Sequence, residues 1–223
     1  MFTLAGRPGE LHTAVLDGAR EAIARIDLNR HEGVHPRVGA LDVAPIVYLD
    51  TEQRGAAIAE ALVLADELGE LGVPVYLYGE LAGGRTRAEL RRPGALERIE
   101  PDFGPRRHPT AGATLVAARP PLIAFNVEVD APLETAKTIA RTLRNDHVKA
   151  LGLHLPGTGV VQVSTNIEDH TRTTAADVVA AVRRHARVTG AELVAPAPRA
   201  ALTNFPEDVP LSGPAPLEDQ LPS

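Results

Sequence analysis

Strand-like and helix-like segments follow one another in a regular order between residues 123 and 195, and this order restricts the fold more than any other feature. Apolar residues alternate at Ile123, Phe125, Val127 and Val129, which predicts a strand with one buried face. A helix, two strands joined by a Pro-Gly-Thr-Gly turn, a second helix and a last strand follow over residues 132–145, 148–155, 160–167, 174–189 and 191–195. Right-handed crossovers make this order one antiparallel sheet with both helices on one face.

The first half has a less complete pattern. Apolar residues at helical spacing predict helices over residues 10–26 and 52–71, and compact apolar runs predict strands over 41–49 and 73–78. These match only the later members of the split β-α-β, or ferredoxin-like, unit that the second half contains in full. We therefore predict an α/β (α+β) protein of two ferredoxin-like-related subdomains. Each has a mixed or antiparallel sheet with helices on one face, and the first is incomplete.

Residues 101–112 are rich in Pro and Gly and have no periodicity, so the boundary between the halves is placed there. The predicted domains are an incomplete N-terminal subdomain, a C-terminal subdomain and a disordered Pro-rich tail, over residues 1–100, 101–202 and 203–223. An exposed sheet edge in the first half favours a homodimer.

Composition excludes several classes of protein. A net charge of −6 argues against a nucleic-acid partner that binds a broad basic surface. The absence of cysteine excludes disulfides, thiolate nucleophiles and cysteine-based zinc sites. No secretory signal is recognisable, and no apolar run approaches the roughly 20 residues that span a bilayer. These features predict a soluble cytoplasmic protein without a membrane partner.

The segment from His31 to Val43 concentrates the residues that could perform chemistry. Histidine titrates near neutral pH, so His35 is a candidate general acid and base. Pro36 restricts the backbone beside it, and the planar guanidinium of Arg37 could bind a substrate carboxylate. The alternative from the residues alone is a hydrogen-bonded loop without chemistry. His12, on the first helix, is interpreted as a surface residue.

A metal-assisted hydrolase is a second alternative. His31 and His35 have the four-residue spacing of zinc ligands on a helix, with Asp42 as a third ligand. That spacing brings two ligands together only in a helix, and Gly33 and Pro36 argue against one. We therefore predict no metal site.

The same segment resembles the signature of the formiminotransferase domain of glutamate formimidoyltransferases. The resemblance covers the chain from Phe2 to about Leu202. It continues through four further motifs, which are Val73-Pro74-Val75-Tyr76-Leu77-Tyr78, Pro101-Asp102-Phe103-Gly104-Pro105, Leu122-Ile123-Ala124-Phe125-Asn126 and Gln162-Val163-Ser164-Thr165-Asn166.

The resemblance implies transfer of a formimino group from N-formimino-L-glutamate to tetrahydrofolate, the co-substrate, in histidine breakdown. It also implies folate binding in a cleft between two α/β subdomains. His35, which precedes Pro-Arg, corresponds to the family's catalytic histidine. The corresponding folate-binding loop consists of Gly104, Pro105, Arg106, Arg107, His108, Pro109, Thr110, Ala111 and Gly112.

The family normally begins with a further strand, helix and strand, which this sequence does not contain. We expect that translation, or the gene model, starts inside the family's reading frame. A homologue that binds folate without catalysis, or serves as a scaffold, is therefore the alternative to an active transferase.

Overall fold

The computed structural model describes residues 2–31 and 37–221, which form two compact units, Met1–Pro120 and Pro121–Ser223. Unit 1 contains α1 Leu11–Arg25, β1 Val43–Val47, α2 Arg54–Glu70, β2 Val75–Leu77, α3 Arg87–Leu90, α4 Ala95–Arg98 and β3 Thr114–Arg119. Unit 2 contains β4 Ile123–Asp130, α5 Leu133–Leu143, β5 Val148–Leu155, β6 Val160–Ile167, α6 Ala175–Arg183, β7 Arg187–Leu193, β8 Leu211–Ser212 and α7 Leu217–Gln220. Within the described ranges, no helix combines the length and apolar character needed to cross a bilayer.

The strands of unit 1 run parallel in the order β1-β3-β2. Val116 and Ala118 of β3 pack with α1 and α2, whereas Leu115 and Ala117 pack on the opposite face with Leu90 of α3. Burial on both faces is typical of parallel strands. The α/β (α+β) class is confirmed. This sheet, however, is parallel and covered on both faces, where the sequence predicted a mixed or antiparallel sheet with helices on one face.

The outer edge of β1 is poorly suited to pairing with another strand. Leu115 N–H donates to the Asp42 carbonyl and Tyr48 N–H donates to the Arg119 carbonyl, so alternate residues of β1 face β3. Pro45 belongs to the other set, and its missing N–H therefore falls on the open edge, where it removes a donor. A homodimer stays a prediction, but pairing along this edge is disfavoured.

The N-terminus of α1 is held by Glu60, a buried carboxylate of α2. Its oxygens accept hydrogen bonds from Gly9 N–H at 3.0 Å and His12 N–H at 3.1 Å. The His12 ring lies 3.4 Å from Glu60 and 3.9 Å from Glu67, with only 20% of its side chain exposed. His12 is therefore not the plain surface residue that its polar neighbours in sequence suggested.

Unit 2 has the predicted ferredoxin-like topology. Its strand order is β5-β6-β4-β7-β8, and β4 is antiparallel to both neighbours. Core residues of β4 and β6 pack with α5 and α6 on one face, as Phe125 and Val163 do. The strand alternation in the sequence therefore gave the correct buried face.

Two boundaries differ from those predicted. The units divide between Pro120 and Pro121, after β3, rather than within residues 101–112. The predicted helix over 174–189 ends at Arg183, because Arg187 and Val188 extend β7 along β4.

The structure also differs from the prediction of a disordered tail over residues 203–223. Phe205 packs edge to face on Phe125 with ring centroids 6.1 Å apart, and Val209 is buried. Leu211–Ser212 then forms β8, parallel to β7. The described part of the tail is ordered because its few apolar residues bind the core of unit 2, which its overall composition conceals.

We predict that Glu60→Gln lowers the free energy of unfolding at pH 7 by about 1–3 kcal/mol, because two backbone N–H groups lose a charged acceptor. Burial raises the pKa of Glu60, but hydrogen bonds from Gly9 and His12 outweigh burial and lower it below its ordinary value. The carboxylate therefore stabilises the fold above about pH 4.5, and this contribution is lost as the pH falls through the folded pKa. Urea denaturation at pH 7 and pH 3.5 should show that the stability difference between the unaltered protein and Glu60→Gln shrinks at the lower pH.

The control is Glu21→Gln, which alters an exposed glutamate of α1 and should change stability by less than about 0.5 kcal/mol. An equal loss for Glu60→Gln at both pH values would contradict the assignment.

Candidate functional site

The predicted catalytic segment leads directly into β1. The predicted base, His35, lies outside the described residues, as do residues 32–34 and 36. On the carboxyl side of His35, Val38 N–H donates to the Asp42 carboxylate at 2.7 Å. This hydrogen bond closes a turn immediately before the strand.

The turn pairs with the predicted folate-binding loop, residues 104–112. Ala113 N–H donates to the Val38 carbonyl at 2.8 Å, and Gly39 forms an antiparallel bridge with Gly112. Since β1 and β3 are neighbouring parallel strands, the residues that precede them meet at one edge of the sheet.

The residues before position 32 contact the same loop. Leu28 N–H donates to the Thr110 carbonyl at 2.8 Å, and the Asn29 side-chain amide donates to the Pro109 carbonyl at 3.0 Å. The described chain on both sides of residues 32–36 is therefore hydrogen-bonded to residues 109–113. The structure thus brings the described residues that flank this stretch next to the predicted folate-binding loop.

Glycine is required where the two segments cross. Gly112 has φ +67°, and a Cβ atom there would lie 2.2 Å from the Val38 carbonyl oxygen and 2.6 Å from Leu28. A Cβ atom on Gly39 would lie 1.8 Å from the Ala113 carbonyl oxygen. The contacts with Val38 and Ala113 are with backbone oxygens, so the two backbones could not approach as closely with any other residue at Gly112 or Gly39.

His108 orders the middle of the loop. Its Nδ1 accepts hydrogen bonds from the N–H groups of Thr110 at 3.2 Å and Ala111 at 2.9 Å. A ring that accepts at Nδ1 carries its proton on Nε2 when neutral. The backbone N–H groups of Arg106 and Arg107 have no acceptor among the described residues. The exposed loop therefore presents donors suited to a polar ligand.

Arg37 and Arg106, two arginines of the predicted site, differ in their surroundings. Arg37 is exposed and forms no ion pair with a described side chain. Arg106 forms a two-pronged pair with Glu100, with Nε 2.9 and 3.0 Å from its carboxylate oxygens. The hydrogen bond to Arg106 lowers the pKa of Glu100. Arg37 is therefore the better candidate for a substrate carboxylate, because Arg106 already has one.

Asp42 is engaged on both oxygens. One accepts from Val38 N–H, and the other forms an ion pair with Arg91, which follows α3. Burial lowers the pKa of Arg91, and the Asp42 charge opposes this. Arg91 Nε and the Tyr78 hydroxyl are buried and have no hydrogen-bond partner in the described part of the chain. The sequence alone did not point to Arg91.

The metal alternative stays a hypothesis, because His35, one of its suggested ligands, lies outside the described residues. Within residues 2–31 and 37–221, no three His, Asp or Glu side chains are grouped as metal ligands would be. The carboxylate of Asp42, the suggested third ligand, is occupied by Arg91 and Val38.

Unit 2 has a polar face of its own, opposite α5 and α6. Gln162 and Ser164 of β6 pair with Glu128 and Asn126 of β4 on this face. The Asn126 amide donates to Glu192 at 2.9 Å, and Asn126 is buried despite lying outside the apolar core. The face can supply amides and carboxylates to a ligand.

We predict that Gly112→Ala separates the loop from the turn at Val38. Relief of a 2.2 Å contact with a backbone carbonyl requires backbone movement, so the free energy of unfolding should fall by about 2–4 kcal/mol. Thermal denaturation measures the loss. Gly157→Ala, at a position where a Cβ atom meets nothing within 4 Å, is the matched control and should be close to neutral. Similar melting temperatures for both variants would show that the two loops do not cross this closely.

Comparison with known proteins finds one matching family and several similar proteins. Residues 1–119 match the formiminotransferase domain, N-terminal subdomain. The formimidoyltransferase-cyclodeaminase of Sus scrofa is 38% identical over 197 residues, which is 76% of this chain and 36% of the relative. The glutamate formimidoyltransferase of Streptococcus pyogenes serotype M1 is 34% identical over 186 residues, 75% of this chain and 62% of the relative.

A third relative, the glutamate formimidoyltransferase of Thermoplasma acidophilum, is 34% identical over 180 residues, 72% of this chain and 59% of the relative. In each case the match spans less than two thirds of the relative's length. The family match nevertheless extends over more than half of this chain and includes both segments that meet before β1 and β3. The protein therefore belongs to the formiminotransferase domain family.

Proposed function

We propose that the protein transfers the formimino group of N-formimino-L-glutamate to tetrahydrofolate, in the cytoplasm. Two relatives named glutamate formimidoyltransferase support this reaction class. The observation that carries the proposal is the hydrogen bonding of residues 109–113 to the chain on both sides of residues 32–36. A folate held by the loop would then lie next to the segment that contains His35.

His35 acts as general base and then as general acid in this proposal. It accepts the proton that N5 of tetrahydrofolate loses while bonding to the formimino carbon. It then returns that proton to the departing nitrogen as the carbon–nitrogen bond to glutamate breaks. The products are glutamate and 5-formiminotetrahydrofolate, so atoms and charge balance. Such proton transfer contributes roughly 10²–10⁴-fold to the rate.

The loop Gly104–Gly112 binds the folate, and Arg37 binds a substrate carboxylate. The backbone N–H groups of Arg106 and Arg107, two exposed residues, can donate to polar atoms of the ligand. The guanidinium of Arg37 can bind both oxygens of a carboxylate as a planar fork. Holding two substrates together removes the entropic cost of their encounter, which contributes at least as much as proton transfer.

We predict that His35→Ala lowers kcat for tetrahydrofolate-dependent release of glutamate by about 10²–10⁴-fold. Tetrahydrofolate affinity should change by less than about threefold, because the loop that binds it is unaltered. His31→Ala, in the same segment, is the control and should retain most of the activity.

Other outcomes distinguish the alternatives. Activity lost equally in His31→Ala and His35→Ala, and lost to a chelator, would select the metal-assisted hydrolase. Tetrahydrofolate binding without turnover in the unaltered protein would select a binding protein. Full activity in His35→Ala would exclude this residue as the base.

A further inference from the structure

Two arginines of one short segment, Arg85 and Arg91, are bound in the same way. Each forms an ion pair with an aspartate, and each aspartate also accepts a hydrogen bond from a backbone N–H elsewhere in unit 1. Asp42 belongs to the segment from His31 to Val43, and Asp102 lies two residues before the predicted folate-binding loop.

The first set consists of Arg91, Asp42 and Val38. Arg91 and Asp42 are about three-quarters buried, with 28% and 25% of their side chains exposed. Asp42 holds Val38 N–H at 2.7 Å, three residues after His35. Charge-assisted hydrogen bonds of this kind are stronger than neutral ones, and partial burial reduces their screening by solvent. Arg91 thereby fixes the backbone where it leaves the His35 segment.

The second set consists of Arg85, Asp102 and Leu77. Asp102 accepts from Leu77 N–H at 2.7 Å, while Arg85 donates through Nε to the Leu77 carbonyl at 3.0 Å. Asp102 lies two residues before Gly104, the first residue of the proposed folate loop. Arg85 thereby fixes the entrance to that loop against β2.

We propose that Arg85 and Arg91 are positioning residues for the two loops of the proposed site. We call the four residues Arg85, Asp102, Arg91 and Asp42 the arginine clasp. Arg91 orients residues 38–42, which follow the His35 segment, and Arg85 orients the start of the folate loop. The kinetic consequences rest on the proposed function, but the positioning itself can be measured without turnover.

We predict that the two arginines affect different kinetic constants, kcat for Arg91 and KM for Arg85. Arg91→Met should lower kcat about 10–100-fold with KM for tetrahydrofolate within about threefold, because a misplaced base slows the chemical step. Arg85→Met should raise KM for tetrahydrofolate about tenfold with kcat within about threefold, because the binding loop is displaced. A purely structural role would change both constants alike in the two variants.

Lysine variants of both arginines and one control variant make the test more specific. Arg91 uses one nitrogen, Nη2, on Asp42, so Arg91→Lys should restore most of kcat. Arg85 uses two nitrogens on two acceptors, so Arg85→Lys should not restore KM. Arg54→Met removes an ion pair with Glu80 that holds no backbone group, and it should change neither constant.

Hydrogen exchange separates failure of this inference from failure of the proposed function. In Arg91→Met the amides of residues 37–43 should exchange faster, and in Arg85→Met those of 75–77 and 101–112 should. This pattern would support the clasp even if the unaltered protein released no glutamate. Faster exchange spread evenly over both segments, or in neither, would overturn it, as would equal kinetic changes in Arg54→Met.

Discussion

The pairing of residues 38–40 with residues 111–113 is the interaction on which the candidate site of unit 1 depends. It joins segments more than 70 residues apart, as the 2.8 Å bond from Thr114 Oγ1 to the Leu41 carbonyl also does. Such distant contacts form only because β1 and β3 lie side by side in the sheet. The alignment of two strands therefore determines which loops meet.

The location of the meeting point is unusual for a parallel sheet. Open α/β sheets commonly bind ligands at the carboxyl ends of their strands. Here the loops precede β1 and β3, at the amino ends. Gly104 also approaches Val73, just before β2, where a Cβ atom on Gly104 would lie 2.4 Å from the Val73 carbonyl oxygen. Three loops converge at this edge, and the small size of Gly39, Gly104 and Gly112 allows it. Glycine provides no side-chain interaction of its own, so the loops are held by backbone hydrogen bonds and by the ion pairs of Asp42 and Asp102.

Much of unit 2 was predictable from its sequence, whereas the centre of unit 1 was not. Strands with one buried face alternate apolar and polar residues, and β4 does so clearly. β3 is buried on both faces, and its Ala-rich run resembles neither an alternating strand nor an amphipathic helix. Without β3, the predicted boundary fell within the loop before it. The ordered tail was missed because Phe205 and Val209 are too few to form a pattern.

The predicted site segments and the residues that hold them differ in how visible they are in the sequence. The segment around His35 and the loop after Phe103 are continuous in sequence, so family resemblance could identify them. The partners that hold these segments are scattered. Asp42 and Arg91 are 49 residues apart, and Asp102 and Leu77 are 25 residues apart. An ion pair leaves no periodicity, and either charge alone resembles a solvated surface residue. Its significance lies in the backbone N–H that each aspartate also binds, a property of the folded chain only. The residues proposed to act on substrate were thus accessible from sequence, while those proposed to position them required the structure.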